Sequence, residues 1–202
     1  MIPKIVACLA LGLIASDVGA HPVLLKAGLS PKEITQVNEG GLVVQRLTPP
    51  DDEGVSFRAV KRLPVSLASL KPVLTDCQHF KAFMPHTIKS DRTNKAPNKA
   101  LCDVVVDLPF PFDDLRSLVL AEWGTQENGS WQRKWSLVSG SFYRNEGRWV
   151  LVAAPESHET YILYEASVNP KVSIPDFILS RAQVSSVPDL MDAIVKRTQS
   201  LK

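Results

Sequence analysis

Asp76, Cys77 and His79 fall within four positions of one another in the stretch VLTDCQHFKAFMP, residues 73–85. Those side chains could make a thiolate nucleophile with its base, or part of a zinc site. A nucleophile needs a base that orients it and an oxyanion site. Zinc needs three or four ligands at workable spacing. On a helix Cys77 and His79, at i and i+2, point in different directions. His86 lies seven residues past His79, His158 is remote, and no second cysteine pair accompanies them. The plainer reading is a short helical piece over 76–84. Asp76 caps it, His79 faces solvent, and Phe80, Phe83 and Met84 share an apolar face at i, i+3 and i+4. Elsewhere there is no nucleotide loop and no Ser/His/Asp triad. Asp51-Asp52 and Asp113-Asp114 are neighbours in turns, whose side chains diverge too much to form a working pair. No cofactor and no metal is expected.

The N-terminus reads as an export leader. Lys4 supplies one positive charge, Ile5–Ala15 is apolar but too short to span a bilayer, and Val18-Gly19-Ala20 offers small residues for cleavage after Ala20. Cys8 comes too early in that run for a lipoprotein box. The expected mature chain, residues 21–202, is therefore secreted or periplasmic. It is long enough for one domain with a real core. Its net charge stays at +2, which gives no electrostatic argument for nucleic acid or an anionic membrane. Two cysteines remain, Cys77 and Cys102. In an oxidising compartment such a pair permits a disulfide; two buried thiols are the alternative.

The elements that must position these residues are mostly strands. Residues 21–40 form an N-terminal segment, with a helix start at Ser30-Pro31-Lys32-Glu33 (Ser as N-cap, Pro at N1, Glu at N3) and a stop at Gly40-Gly41. Strands are expected over 42–47 and 55–63. Helical spacing follows over 65–74, broken or kinked at Pro72. Further strands are expected near 86–93, 100–108, 115–124, 131–140, 148–154 and 159–168. Turn signals separate them, including Ala96-Pro97-Asn98, Glu127-Asn128-Gly129 and Asn145-Glu146-Gly147. Pro175–Val184 reads as one helical piece. Ser186 caps a longer one that carries Val187, Leu190, Met191, Ile194 and Val195 on a single face.

Alternation orients the strands. Cys102, Val104, Val106 and Leu108 turn inward, away from Asp103 and Asp107. Ser117, Val119, Ala121 and Trp123 share a face, as do Trp131, Arg133, Trp135 and Leu137. Thr160, Ile162 and Tyr164 point inward, leaving Tyr161, Leu163 and Glu165 outside. Trp149 and Leu151 are assigned inward. Arg133 is the odd member, because a guanidinium on an apolar face is costly unless paired. It can snorkel to the rim, which is the default expectation. It can also pair with a buried acid, or hold a ligand's carboxylate or phosphate. The aromatics suit a packed core as well as a pocket wall.

Four phrases in order carry a family resemblance: VLTDCQHFKAFMP, LPFPFDDLR, GRWVLV followed by ETYILYEASVNP, and SIPDFILSRAQVSSVPDLMDAIVKR. Together, over about residues 41–200, they resemble the helix-grip superfamily of START-type lipid-transfer and polyketide cyclase-like domains (SRPBCC), and its exported bacterial members in particular. The resemblance implies an α+β fold: a curved antiparallel sheet wrapped around a long C-terminal helix, with two short helices after the first strands. It also implies an apolar cavity between sheet and helix, which in the family holds sterols, phospholipids, quinones or polyketides. The expected function is the binding of a hydrophobic small molecule or lipid by a monomer, with transport in the family's manner as its extension. The candidate ligand-binding residues are Phe80, Phe83, Met84, Val104, Val106, Val119, Trp123, Arg133, Trp135, Trp149, Tyr164, Leu190 and Ile194. A Cys77–Cys102 disulfide would pin the 76–84 segment, placed by the resemblance at the cavity's mouth, to the sheet. Pro109–Phe112 reads either as a lip for transient membrane contact or as a bend covering the sheet end. The alternative function is a cyclase- or aromatase-like enzyme recruiting Tyr164, Arg133 and Ser117 in the same cavity.

Overall fold

Eight antiparallel strands form one sheet in the order β1-β2-β8-β7-β6-β5-β4-β3. The structure, a computed structural model, describes residues 27–108, 110–155, 157–172 and 176–201, with the backbone alone over 176–184. The expected leader, residues 1–20, lies outside the described residues, as do 21–26. The strands are β1 (Val43–Leu47), β2 (Val55–Leu63), β3 (Thr87–Ala96), β4 (Lys99–Val106), β5 (Leu115–Thr125), β6 (Trp131–Gly140), β7 (Phe142–Ala153) and β8 (Thr160–Pro170). From β3 to β8 each strand pairs with the next, as short links dictate. The last strand returns beside β2. The expected α+β helix-grip architecture is what the chain adopts.

Helix α1 (Pro31–Asn38) starts with the full capping box between Ser30 and Glu33. Helix α2 (Leu67–Thr75) follows β2 and leads into a 3-10 turn, Cys77–Ala82. Helix α3 (Asp176–Ser200) closes the chain and packs on β2 and α2. Its buried stripe is Val187, Met191 and Ile194, all at 1% exposure or less. They join Phe57, Leu63, Leu70, Leu74, Trp131, Trp149, Leu151 and Ile162 in the main apolar cluster. Burial of this stripe explains two departures from the expected boundaries. Pro188 lies inside α3 and Ser186 starts no helix: one unbroken helix replaces the two expected pieces. Pro72 likewise sits inside α2. A proline interior to a helix removes one hydrogen bond, and the apolar face on either side holds each helix together.

Two other expectations are corrected. Asn145-Glu146-Gly147 is not a turn but part of β7, which starts at Phe142. Gly147 is there because nothing larger fits. A Cβ would lie 2.2 Å from the Glu165 carbonyl oxygen and 2.4 Å from the Trp135 ring. Tyr161 and Leu163 point outward as alternation requires, yet each is only 6% exposed. Helix α1 covers them, and with Val37, Val43, Val60 and Ala154 they form a second apolar cluster on the outer face. The Tyr161 hydroxyl donates to Asn38 Oδ1 at 2.8 Å.

The rest of the outer face is a charge ladder. Glu165 is paired by Arg58 at 2.6 Å and by Arg148 at 2.5 Å. Its partial burial opposes ionisation, but the two guanidiniums outweigh that and hold its carboxyl below the ordinary value of 4.5. A depressed carboxyl contributes stability that is complete above the ordinary value and is lost as pH falls through the folded value. Urea titrations from pH 6 down to pH 3 are therefore expected to show falling stability, with a shallower fall in Glu165→Gln. At Gly147, replacement by alanine is expected to cost roughly 1–3 kcal/mol by overpacking against Trp135, read as a lower urea midpoint.

Candidate functional site

Besides an apolar cluster at one end of the sheet (Val55, Leu115, Phe142 and Val168), the inner face carries two clusters rather than one. The main cluster sits under α3. The other gathers Cys77, Cys102, Val119 and Ala121, with Phe80 and Val104 against it, under the 3-10 turn. Trp123 and Trp135 touch both clusters and remain half-exposed. A seam thus runs down the inner face, between the part covered by α3 and the part covered by the 3-10 turn.

Tyr164 organises one side of that seam. Its ring stacks on Trp149 at 4.0 Å between centroids and 11° between planes, and lies 6.0 Å from Trp135. Phe57 meets it edge-on at 5.4 Å. Cross-strand pairing of Trp149 with Tyr164 and of Trp135 with Gly147 sets this arrangement. The missing Cβ at Gly147 lets the Trp135 ring lie over β7, where its Nε1 donates to Asn145 Oδ1 at 3.1 Å. Tyr164 lies deep in the molecule, and burial pushes its phenol up to about 12, with the Arg133 charge pulling the other way. Part of its surface is nevertheless uncovered.

Arg133 lies at the same seam. The rim expectation is overturned: Arg133 is 3% exposed. Its cross-strand partners are Trp123 and Trp149, which hold it mid-sheet, too far in for the head group to reach water. The buried-acid reading fails too, since among the described residues no carboxylate forms an ion pair with it. It sits over the rings of Phe80 at 5.7 Å and Trp135 at 5.8 Å. One Nη contacts Cys102 Sγ at 3.6 Å. Its Nε has no hydrogen-bond partner. Desolvation lowers its pKa to about 10, Tyr164 opposes that shift and Arg92 adds to it. The guanidinium still stays charged at neutral pH.

The opening cluster resolves into a clamp. Cys77 and Cys102 are joined by a disulfide, with Cα atoms 5.9 Å apart. It ties the 3-10 turn to β4. Asp76 does not cap that turn through its side chain. Its carboxylate instead lies 2.6 Å from Nδ1 of exposed His79. The nearby imidazole takes the carboxylate. Ser90 adds a second tie, accepting from the Lys81 amide and donating to the Gln78 carbonyl, both at 2.9 Å.

The other candidates fall around these features. Phe80 and Phe83 meet edge-on at 5.8 Å, and Phe83 lies under Arg197 of α3. Met84 is half-buried where the segment ends, and Val106 is half-buried at the end of β4. Val119 is buried beside the disulfide. Leu190 is half-buried against the main cluster, while Ile194 is fully inside it with Trp149. Arg92 is the residue that sequence reasoning missed. It pairs directly across from Cys102, lies 5.4 Å from the Trp123 ring centroid, and donates to the Thr75 carbonyl at 3.0 Å. Alternation in β3 places it inward, the signal that could have found it. Among the described residues no group of three His, Cys, Asp or Glu side chains could hold a metal ion.

Comparison with solved structures places this geometry. A STAR-related lipid transfer protein from Xanthomonas axonopodis (fragment 25–204) superposes with a TM-score of 0.69 at 18% identity, over 79% of this chain and 94% of that one. The chain has the START-type helix-grip fold. Human STARD10 has the same START-type arrangement, with a TM-score of 0.67 at 15% identity over 79% of this chain and 69% of that one. The Zhui aromatase/cyclase from Streptomyces sp. R1128 gives 0.58 at 8% identity, over 78% and 94%. No protein-family model matches the sequence, and no curated protein matches it.

The START-type fold leaves the 3-10 turn dependent on its tether. The disulfide closes a loop with a sequence separation of 25. Its removal in Cys77→Ala/Cys102→Ala is expected to cost about 3 kcal/mol by the chain-entropy argument, measured as a fall in unfolding free energy in urea.

Proposed function

We propose that the protein binds and carries a hydrophobic small molecule of the lipid class, with an acidic head group seated on Arg133. The observation that carries this is a buried guanidinium with an unpartnered Nε, set among half-covered aromatic side chains on the inner face. Apolar burial would supply affinity, at about 25 cal/mol per Å² of ligand surface removed from water. The head group would supply the counter-charge that the protein withholds. Tyr164, kept protonated, can donate a hydrogen bond to the same head group. That property argues against using Tyr164 as a base and leaves the cyclase reading with a donor alone.

Two further parts belong to the same reading. The disulfide supports an oxidising compartment, in line with the leader-like N-terminus. Among the described residues, Ile88, Phe110, Val138 and Tyr143 are exposed large apolar side chains. All four lie at the end of the sheet where β4 leads into β5, β6 turns into β7 and β8 leads toward α3. Phe110 is 96% exposed, which favours a lip for transient membrane contact over a cover for the sheet end.

Native mass spectrometry of the exported protein, followed by solvent extraction, tests the reading. The expected result is an added mass that extracts as an acidic lipid. Titration with oleate should then bind the parent protein at least tenfold more tightly than Arg133→Met, which keeps the apolar wall. A clean apo mass that stays unchanged after incubation with a lipid mixture would overturn the proposal.

A further inference from the structure

We propose that the Cys77–Cys102 disulfide is a thiol-exchange site whose reduced form holds Cys102 as a thiolate paired with Arg133. Two guanidiniums flank Cys102. Arg133 reaches its Sγ at 3.6 Å from β6, and Arg92 stands directly across from it on β3. Arg133 is 3% exposed and its Nε is unpartnered, so the cation lacks an anion where a sulfur already touches it. The other sulfur sits differently. Cys77 opens a short peripheral turn and is followed by exposed Gln78 and His79, whereas Cys102 is in mid-strand. Both sulfurs are buried, so exchange requires the 3-10 turn to lift.

The chemistry balances with a dithiol as reductant. One thiolate of the dithiol attacks Cys77 Sγ and forms a mixed disulfide. The Cys77–Cys102 bond breaks and its electron pair goes to Cys102 Sγ. The second thiol of the dithiol then releases Cys77, which keeps a proton, and leaves as the cyclic disulfide. Two electrons pass to the protein, and one proton passes to solvent because Cys102 stays ionised. A stabilised thiolate is the better leaving group, so attack at the peripheral sulfur is also the faster direction. The charged or titratable groups facing this pair are Arg92 from β3 and Tyr164 from β8, with Arg197 of α3 set beyond Phe80 over the Phe83 ring and Asp76 beside Cys77 already engaged by His79. Among these the cations favour the thiolate. Tyr164 remains a neutral donor.

This goes beyond ligand carriage and connects to it only through Arg133. When the bond is closed, that guanidinium is the inner face's unpaired cation. When it is open, Cys102 neutralises it and the 3-10 turn with Phe80 is untethered.

The test is equilibration of the whole oxidised chain with dithiothreitol at fixed ratios of its reduced and oxidised forms, at pH 6, 7 and 8. Release of one proton makes the equilibrium constant rise about tenfold per pH unit. Two ordinary thiols, with pKa near about 8.5, would leave it almost flat over that range. Arg133→Met is expected to flatten the rise. A flat profile for the parent chain overturns the proposal, and that result stands whether or not the variant folds. Cys77→Ala gives a second reading: thiolate absorbance at 240 nm should show Cys102 mostly ionised at pH 7, and a mostly protonated thiol overturns the proposal. Oleate should bind the reduced parent chain at least tenfold more weakly than the oxidised one. If the pH slope appears and oleate binds neither form, carriage of acidic lipids is wrong and the exchange site stands.

Discussion

The structure depends on a mismatch of cover. An eight-stranded curved sheet presents more apolar inner face than one helix stripe can bury. Helix α3 closes the main cluster through Val187, Met191 and Ile194. The β4–β5 region is left to a six-residue 3-10 turn, which is too short to bury much by itself. A covalent bond and the Ser90 hydrogen bonds hold that turn down. The two covers meet near β6, where Trp123 and Trp135 are shared between them and Arg133 and Tyr164 lie close by. Interiors are normally packed as densely as organic crystals. A line of half-covered indole and phenol surface therefore marks where the packing of the inner face is least complete.

That seam is also where the electrostatics are unbalanced. On the outer face each strong cation has an answer: Arg58 and Arg148 share Glu165, and Arg116 has Asp103. These pairs are partly hydrated and contribute little individually. Arg133 is removed from water and offered only aromatic faces and a sulfur. Cation–π contact recovers part of the desolvation cost but cannot replace an anion. Arg92 deepens the imbalance, since it brings a second positive charge toward the first.

The architecture was largely legible in the sequence because its rules are local. Alternation in β4, β5 and β6 set the inward faces, and the capping box at Ser30 set the start of α1. Misreadings arose where tertiary packing overrode local signals. Asn145-Glu146-Gly147 has the wording of a turn, yet Gly147 serves the Trp135 ring. Ser186 reads as the cap of a second helix, yet α3 runs unbroken through it, with Val187, Met191 and Ile194 buried. Tyr161 and Leu163 face out correctly, but which element would cover them depends on where α1 folds back, and alternation does not carry that. Arg133 illustrates the limit for the site. Its direction followed from parity, while its depth depended on what covers it, Cys102 and the 3-10 turn with Phe80, more than thirty residues away along the chain.

A buried cation without a counter-ion is a standing demand that more than one anion can meet. A ligand head group meets it from outside, and a Cys102 thiolate would meet it from within. Both cannot do so fully at once, because they approach the same guanidinium. Thermodynamic linkage then makes the relation reciprocal. Whatever factor reduction takes from the affinity for an acidic ligand, that ligand returns as resistance of the disulfide to reduction. A loaded protein would hold its 3-10 turn shut, and an empty one would be the form that a dithiol opens. On that proposal, the unpaired Nε of Arg133 would tie the content of the seam to the state of the bond that covers it.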